Sequence, residues 1–138
     1  MKRVVFVCVH NSNRSQMAEA FARLYGGQAV ESYSAGSQPS GKVNPLAVAA
    51  MARLGYDLTS HKSKSLAELP DVPFDVAVTM GCGDDCPMLR AARREDWKIP
   101  DPSGLTSKEE FDVVRDQVGA QVKQLLERLL DDDERTKS

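Results

Sequence analysis

Cys8 and Arg14 stand five residues apart in Cys8-Val9-His10-Asn11-Ser12-Asn13-Arg14-Ser15, directly after the apolar run Val4-Val5-Phe6-Val7. A loop of that length between a strand and a helix lets its backbone N–H groups converge into a nest that holds an oxyanion. The helix that follows adds the positive end of its dipole. Arg14 can fork onto two oxyanion oxygens. The same field favours the thiolate of Cys8, and Ser15 is placed to donate a hydrogen bond to it. Asn11, in mid-loop, is of a type that tolerates left-handed backbone. The sequence therefore offers Val9, His10, Asn11, Ser12, Asn13 and Arg14 as an oxyanion cradle, with Cys8 as nucleophile. The bland alternative is a small buried hydrophobe at the end of a strand.

Asp101-Pro102 is a second candidate. An aspartate near Cys8 can act as general acid on the oxygen that leaves when the thiolate attacks; Asp-Pro is equally a common turn opener. Cys82 and Cys86 lie in Gly81-Cys82-Gly83-Asp84-Asp85-Cys86-Pro87. Glycine flanks would let the pair close a disulfide after rearrangement. Thiols at short spacing also suit zinc, although Cys8, His10 and His61 are too scattered to complete a site. Inert thiols are the third reading. His10 and His61 read as structural or surface residues.

These groups need elements to position them. Residues 3–8 read as a fully buried strand. Residues 13–25 read as a helix with Met17, Phe21 and Leu24 on one face and Gly26-Gly27 as its stop. Val30 to Ala35 is a second strand, closed by Gly36. Asn44-Pro45 starts a helix that carries Leu46, Ala50 and Leu54 and ends at Gly55. One helical turn is expected near residues 66–69, and a third strand over Phe74 to Met80. A loop from Gly81 to Asp96 leads to a short fourth strand, Trp97-Lys98-Ile99. Ser107-x-x-Glu110 is a capping box for a last helix with Phe111, Val114, Val118, Val122, Leu125 and Leu129 inward. Alternating strands and helices imply an α/β domain: a four-stranded, mainly parallel sheet with helices on both faces. Ligands of such sheets bind beyond the carboxyl ends of the strands, where Cys8, Cys82 and Asp101 all fall.

At 138 residues, with 41% hydrophobic and 28% charged, the chain reads as one soluble domain over residues 1–130, with residues 131–138 a charged, frayed tail. A net charge of -2 offers no basic field for nucleic acid or anionic membrane, so any anion site is local. The N-terminal apolar run is too short for a signal peptide, and no segment reaches membrane-spanning length. Three cysteines, an odd number, suit a reducing cytoplasm and chemically used thiols. Nothing demands more than a monomer.

Together these residues resemble the arsenate reductases built on the low-molecular-weight protein tyrosine phosphatase fold. The match spans nearly the whole chain. It includes Cys8…Arg14-Ser15-Gln16-Met17-Ala18-Glu19-Ala20, Ser34-Ala35-Gly36, Asp57-Leu58-Thr59-Ser60-His61, Val78-Thr79-Met80-Gly81-Cys82, Cys86-Pro87 and Asp96-Trp97…Asp101-Pro102. Arg-Ser-Gln-Met-Ala looks like the reductases, whereas the phosphatases typically read Arg-Ser-Pro and carry aromatic residues after Asp-Pro. The alternative activity is phosphomonoester hydrolysis through a Cys8 phosphoenzyme.

The resemblance implies a thiol relay with no resident cofactor or metal. Arsenate binds over Cys8, which attacks arsenic while Asp101 protonates a leaving oxygen. Cys82 attacks the adduct, arsenite leaves, and Cys86 carries the disulfide outward to thioredoxin. Two departures bear on the reductant. Only three residues separate Cys82 from Cys86. The loop reads His-Asn-Ser-Asn, where thioredoxin-coupled members commonly have Gly-Asn-Ser-Cys, and His10 looks like the mycothiol-linked branch. A glutaredoxin system is a further possibility. Asn11, Glu19 and Ser34 match residues that hold a monovalent cation in some members, with Lys64 in place of the acidic fourth partner.

Overall fold

The strand that ends on Cys8 is flanked on both sides. The computed structural model describes residues 1–80, 91–100, 102–105 and 107–137. Its strands are β1 (Lys2–Cys8), β2 (Val30–Gly36), β3 (Phe74–Met80) and β4 (Ala91–Asp96), in the order β2-β1-β3-β4 with every pair parallel. A central strand of a parallel sheet is covered on both faces, which is why Val4, Val5, Phe6 and Val7 are all buried. Cys8 pairs with Gly36 on one side and Met80 on the other, so it sits at the carboxyl edge of the sheet.

Three helices, α1 (Arg14–Gly26), α2 (Pro45–Ala52) and α3 (Lys108–Lys137), share one apolar core with the Val4, Phe6, Val76 and Val78 face. The other face carries Val5, Val7, Phe74 and Ala77 and is covered more thinly, by Tyr33, Leu69, Val72 and a 3-10 turn at Leu66–Glu68. Gly119 lets α3 approach α1 closely: a Cβ there would lie 2.9 Å from the Phe21 ring. Asn44 caps α2, its Oδ1 accepting from Leu46 N–H at 2.9 Å with Pro45 first in the helix. Ser107 Oγ accepts from Glu110 N–H at 3.3 Å at the start of α3.

The fourth strand differs from the expectation. It runs Ala91–Asp96, and Trp97, Lys98 and Ile99 follow it as irregular chain. The reason is that β4 is an edge strand whose Arg93, Arg94 and Glu95 carry no apolar alternation; charge on an edge discourages pairing with other chains. Trp97 continues the pairing by one bond, N–H to Thr79 O at 2.9 Å, and buries its ring beside Phe6. In α2, which ends at Ala52 rather than at Gly55, the buried face is Ala47, Ala50 and Met51, while Leu46 is exposed, as is Leu54 beyond the helix end. Leu24 is likewise exposed, since α1 packs through Met17 and Phe21.

Candidate functional site

The loop between β1 and α1 turns its carbonyls away from Cys8. Cys8 O accepts from Ser37 N–H, Val9 O from Gln38 N–H, His10 O from Ser40 N–H, Ser12 O from Asn44 N–H and Asn13 O from Met17 N–H. Asn11 O accepts from Gln16 Nε2 at 3.0 Å. A loop whose carbonyls are all held from outside turns its N–H groups to the concave side, the arrangement an anion needs. Asn11 adopts φ 50°, and the turn it makes brings the chain back toward α1. Gly36 is required beside it, because a Cβ there would lie 2.7 Å from Val9 O.

Cys8, His10, Ser12, Asn13 and Arg14 line a small concave pocket over the sulfur. Cys8 is 3% exposed at the floor of that pocket. Its Sγ lies 2.8 Å from Ser15 Oγ. Ser15 Oγ in turn accepts from Asn11 Nδ2 at 2.7 Å. Arg14 is buried along the pocket wall and donates through one guanidinium nitrogen to Ile99 O at 3.0 Å, which ties the loop to the segment after β4. His10 Nδ1 lies 3.2 Å from Gln38 O at the exposed rim. Asn13 Oδ1 is buried there with no hydrogen-bond partner among the described residues.

Behind the loop lies a polar cluster enclosed by the core. Gln16 Nε2 reaches Asn11 Oδ1 at 2.8 Å and Lys62 O at 2.9 Å. Gln16 Oε1 faces His61 Nδ1 at 2.9 Å, and His61 Nε2 faces the Tyr56 hydroxyl at 2.6 Å. Burial pushes the His61 pKa down, partly opposed by Glu19, so the ring stays neutral near pH 7. Burial raises the Tyr56 pKa. Glu19, 2% exposed, accepts from Ser34 Oγ at 2.6 Å and pairs with Arg23 at 2.7 Å. Lys64 Nζ stands 3.7 Å from the same carboxylate, and Lys64 N–H donates to Asn11 Oδ1 at 2.9 Å. With two side-chain cations on Glu19 and both lone pairs of Asn11 Oδ1 taken, these residues do not fit a bound monovalent cation. Among the described residues no group of three or more His, Cys, Asp or Glu is arranged to hold a metal ion.

The structure thus brings Cys8, Val9, His10, Asn11, Ser12, Asn13, Arg14 and Ser15 into one site. Asp101, Cys82 and Cys86 lie outside the described residues. Sequence reasoning gave Tyr56 no role and left His61 as a structural or surface residue. No local signal marks either, since His61 meets Gln16 across 45 positions.

Known proteins resemble this chain over most of its length. Residues 3–135 match the family described as low molecular weight phosphotyrosine protein phosphatase. A Synechocystis protein named glutaredoxin arsenate reductase is 37% identical, covering 94% of this chain and 99% of that one. An arsenate reductase of Bacillus subtilis is 38% identical, covering 91% and 96%. A solved structure described as an arsenate reductase in the phosphate binding state superposes with a TM-score of 0.84 at 37% identity, covering 93% and 98%.

Proposed function

We propose that this chain, which belongs to the low molecular weight phosphotyrosine protein phosphatase family, is an arsenate reductase with Cys8 as its nucleophile. One observation carries the reading. Asn11 Nδ2 donates to Ser15 Oγ, so the Ser15 hydrogen is left to point at Cys8 Sγ 2.8 Å away. A hydroxyl that donates to sulfur stabilises thiolate over thiol, at the floor of a cradle shaped for a tetrahedral oxyanion.

Arsenate sits over Cys8 on the N–H groups of Val9 to Arg14, with the Arg14 guanidinium at its side. The thiolate attacks arsenic; a sulfur–arsenic bond forms and one oxygen leaves as water, with Asp101 as the proton donor. A second thiol then attacks Cys8 Sγ. The sulfur–arsenic electron pair stays on arsenic, which passes from arsenic(V) to arsenic(III), and the two sulfurs are left as a disulfide. Cys82 supplies that second thiol and Cys86 exchanges with it, so that a thiol reductant restores the enzyme. The name of the Synechocystis relative supports a glutaredoxin system in that role. Thioredoxin and mycothiol are the alternatives to test.

Among the described residues no helix is long and apolar enough to cross a membrane. We place the protein in the cytoplasm, as a single-domain monomer.

The test is arsenite formation by purified protein supplied in turn with thioredoxin, glutaredoxin–glutathione and mycothiol systems. Cys8→Ser should lower turnover by at least about a thousandfold. Parental turnover in that variant would end the proposal. Cys82→Ser and Cys86→Ser identify the relay, and aryl phosphate hydrolysis that survives Cys82→Ser and exceeds arsenate reduction would move the chain to phosphatase.

A further inference from the structure

The cradle over Cys8 is a set of donors, and one acceptor stands among them. Backbone N–H groups and the Arg14 guanidinium have only hydrogens to offer. Asn13, 5% exposed, lines the same pocket, and its Oδ1 meets no hydrogen-bond donor among the described residues. The other such atom among them is Ser37 Oγ, a hydroxyl on a residue outside the pocket lining. A buried amide oxygen left unmet carries the full cost of the water it has lost.

The place of Asn13 in the chain makes that orphan informative. It stands just before α1, where an asparagine ordinarily turns its Oδ1 onto an N–H of the first turn. Here the side chain makes no such bond, although Asn13 O accepts from Met17 N–H at 2.9 Å and the helix begins normally. The side chain has given up its usual local partner in a pocket where every neighbouring donor suits an anion. The hydrogen it lacks must come from what the pocket binds.

We propose that Asn13 is a specificity-determining residue, its Oδ1 accepting the hydrogen of a protonated oxyanion. The cradle then selects hydrogen arsenate and hydrogen phosphate over anions of the same shape that carry no hydrogen. The inference rests on the reading of the loop from Cys8 to Arg14 as an oxyanion cradle. A tetrahedral anion presents lone pairs on every oxygen, and these suit the N–H groups and Arg14. Opposite Oδ1, a bare oxygen sets lone pair against lone pair, whereas an O–H completes a bond. Arsenate and phosphate keep at least one hydrogen across the neutral range; sulfate keeps none. A phosphomonoester loses its last hydrogen at about pH 6, and above that its three free oxygens are bare. The acceptor thus favours the inorganic anion over an ester, the preference a reductase needs and a phosphatase does not.

The experiment is isothermal titration calorimetry of the full chain at pH 8 with phosphate and with sulfate, read as the ratio of the two dissociation constants. Both are dianions of like size there, and only phosphate carries a hydrogen. The parent should bind phosphate at least about tenfold more tightly. Asn13→Leu keeps the volume and removes both polar atoms; phosphate should weaken about tenfold and sulfate by no more than about twofold. Asn13→Asp keeps the shape and makes both atoms acceptors. Each dianion should weaken, sulfate the more, so that the ratio rises at least about threefold above the parental one. A parent that binds both anions alike overturns the proposal, and one that binds neither ends the cradle reading with it. A folded Asn13→Leu protein with the parental ratio also overturns it, as when water alone meets Oδ1. So does one that loses both anions equally, as when the amide serves through Nδ2. If Asn13→Leu fails to fold by circular dichroism, Asn13→Asp decides: a ratio at or below the parental one overturns the proposal. The titration uses neither arsenate nor reductant. A chain that proved to reduce no arsenate could still show these ratios, and an active arsenate reductase could lack them.

Discussion

Helix α1 buries two unlike surfaces. One is apolar: Met17, Phe21 and their neighbours pack on β1 and on α3, where Gly119 lets the Phe21 ring lie against helix backbone. The other is polar: Ser15, Gln16 and Glu19 are as completely enclosed, yet each is met by named donors or acceptors. The apolar side is held by area and fit, which are non-directional and stabilise any conformation that keeps the volume filled. The polar side is directional. Its net contribution to stability is modest, because folding exchanges water for protein partners, but a wrong orientation leaves a buried group unsatisfied. One helix thus carries stability on one side and the setting of a single sulfur on the other.

The comparison breaks most visibly if the two sides do not separate under mutation. Phe21→Ala should cost about 3–5 kcal/mol in urea unfolding, because its neighbours close only partly over the cavity. The pH midpoint of iodoacetamide labelling at Cys8 should not move in that variant. A clear shift would show that apolar packing also tunes the sulfur.

Ser15→Ala is the reverse case. It removes the donor to Cys8 Sγ and leaves Asn11 Nδ2 without its acceptor. Arsenite formation should fall about a hundredfold, the cost of losing one preorganised donor at developing or stored charge. Stability should fall by only about 1–2 kcal/mol. If unfolding changes as much as in Phe21→Ala, the polar side is as structural as the apolar one.

Gly36→Ala sharpens the boundary from outside the helix. The added Cβ would meet Val9 O at 2.7 Å and Asn11 N at 3.0 Å, both backbone atoms that cannot swing aside. A cost of about 1–3 kcal/mol is expected from overpacking. Because the strained atoms belong to the anion loop, the affinity for phosphate as a competing oxyanion should fall in the same variant. Parental inhibition by phosphate would show that the loop relaxes without changing shape.

The apolar side was the more legible of the two in the sequence. β1, β3 and α3 announce themselves by apolar runs and helical spacing, and the Asn44-Pro45 start of α2 is local turn chemistry. Cys8, Arg14 and Ser15 were legible for a similar reason, since the loop is one continuous stretch. β4 was not, because an edge strand that runs Arg-Arg-Glu-Asp has no apolar period to find. The directional cluster was not legible either. Gln16 could be recognised as a difference from the phosphatases, but its function depends on His61 and on the Lys62 carbonyl, which the fold brings to it from the segment after α2. A hydrogen bond between residues so distant leaves no pattern along the chain.

The smallest expected effect is one that the polar side alone should show, a dependence of stability on pH. Burial holds the folded pKa of His61 below its ordinary value, whereas in the unfolded chain the ring titrates near 6.5. Between those two values the unfolded state binds a proton that the folded state does not. Stability therefore rises with pH across that window and is lost as pH falls from about 6.5 toward the folded pKa. The slope for one such group cannot exceed about 1.4 kcal/mol per pH unit. The lowered carboxyl pKa values of Asp57 and Asp112 act in the same direction, from about pH 4 downward. Urea unfolding at pH 7.5, 6.5 and 5.5 should show the parent and Phe21→Ala losing stability in parallel. His61→Gln, with nothing to titrate there, should lose less. If its pH dependence matches that of the other two, His61 is not kept neutral by the fold.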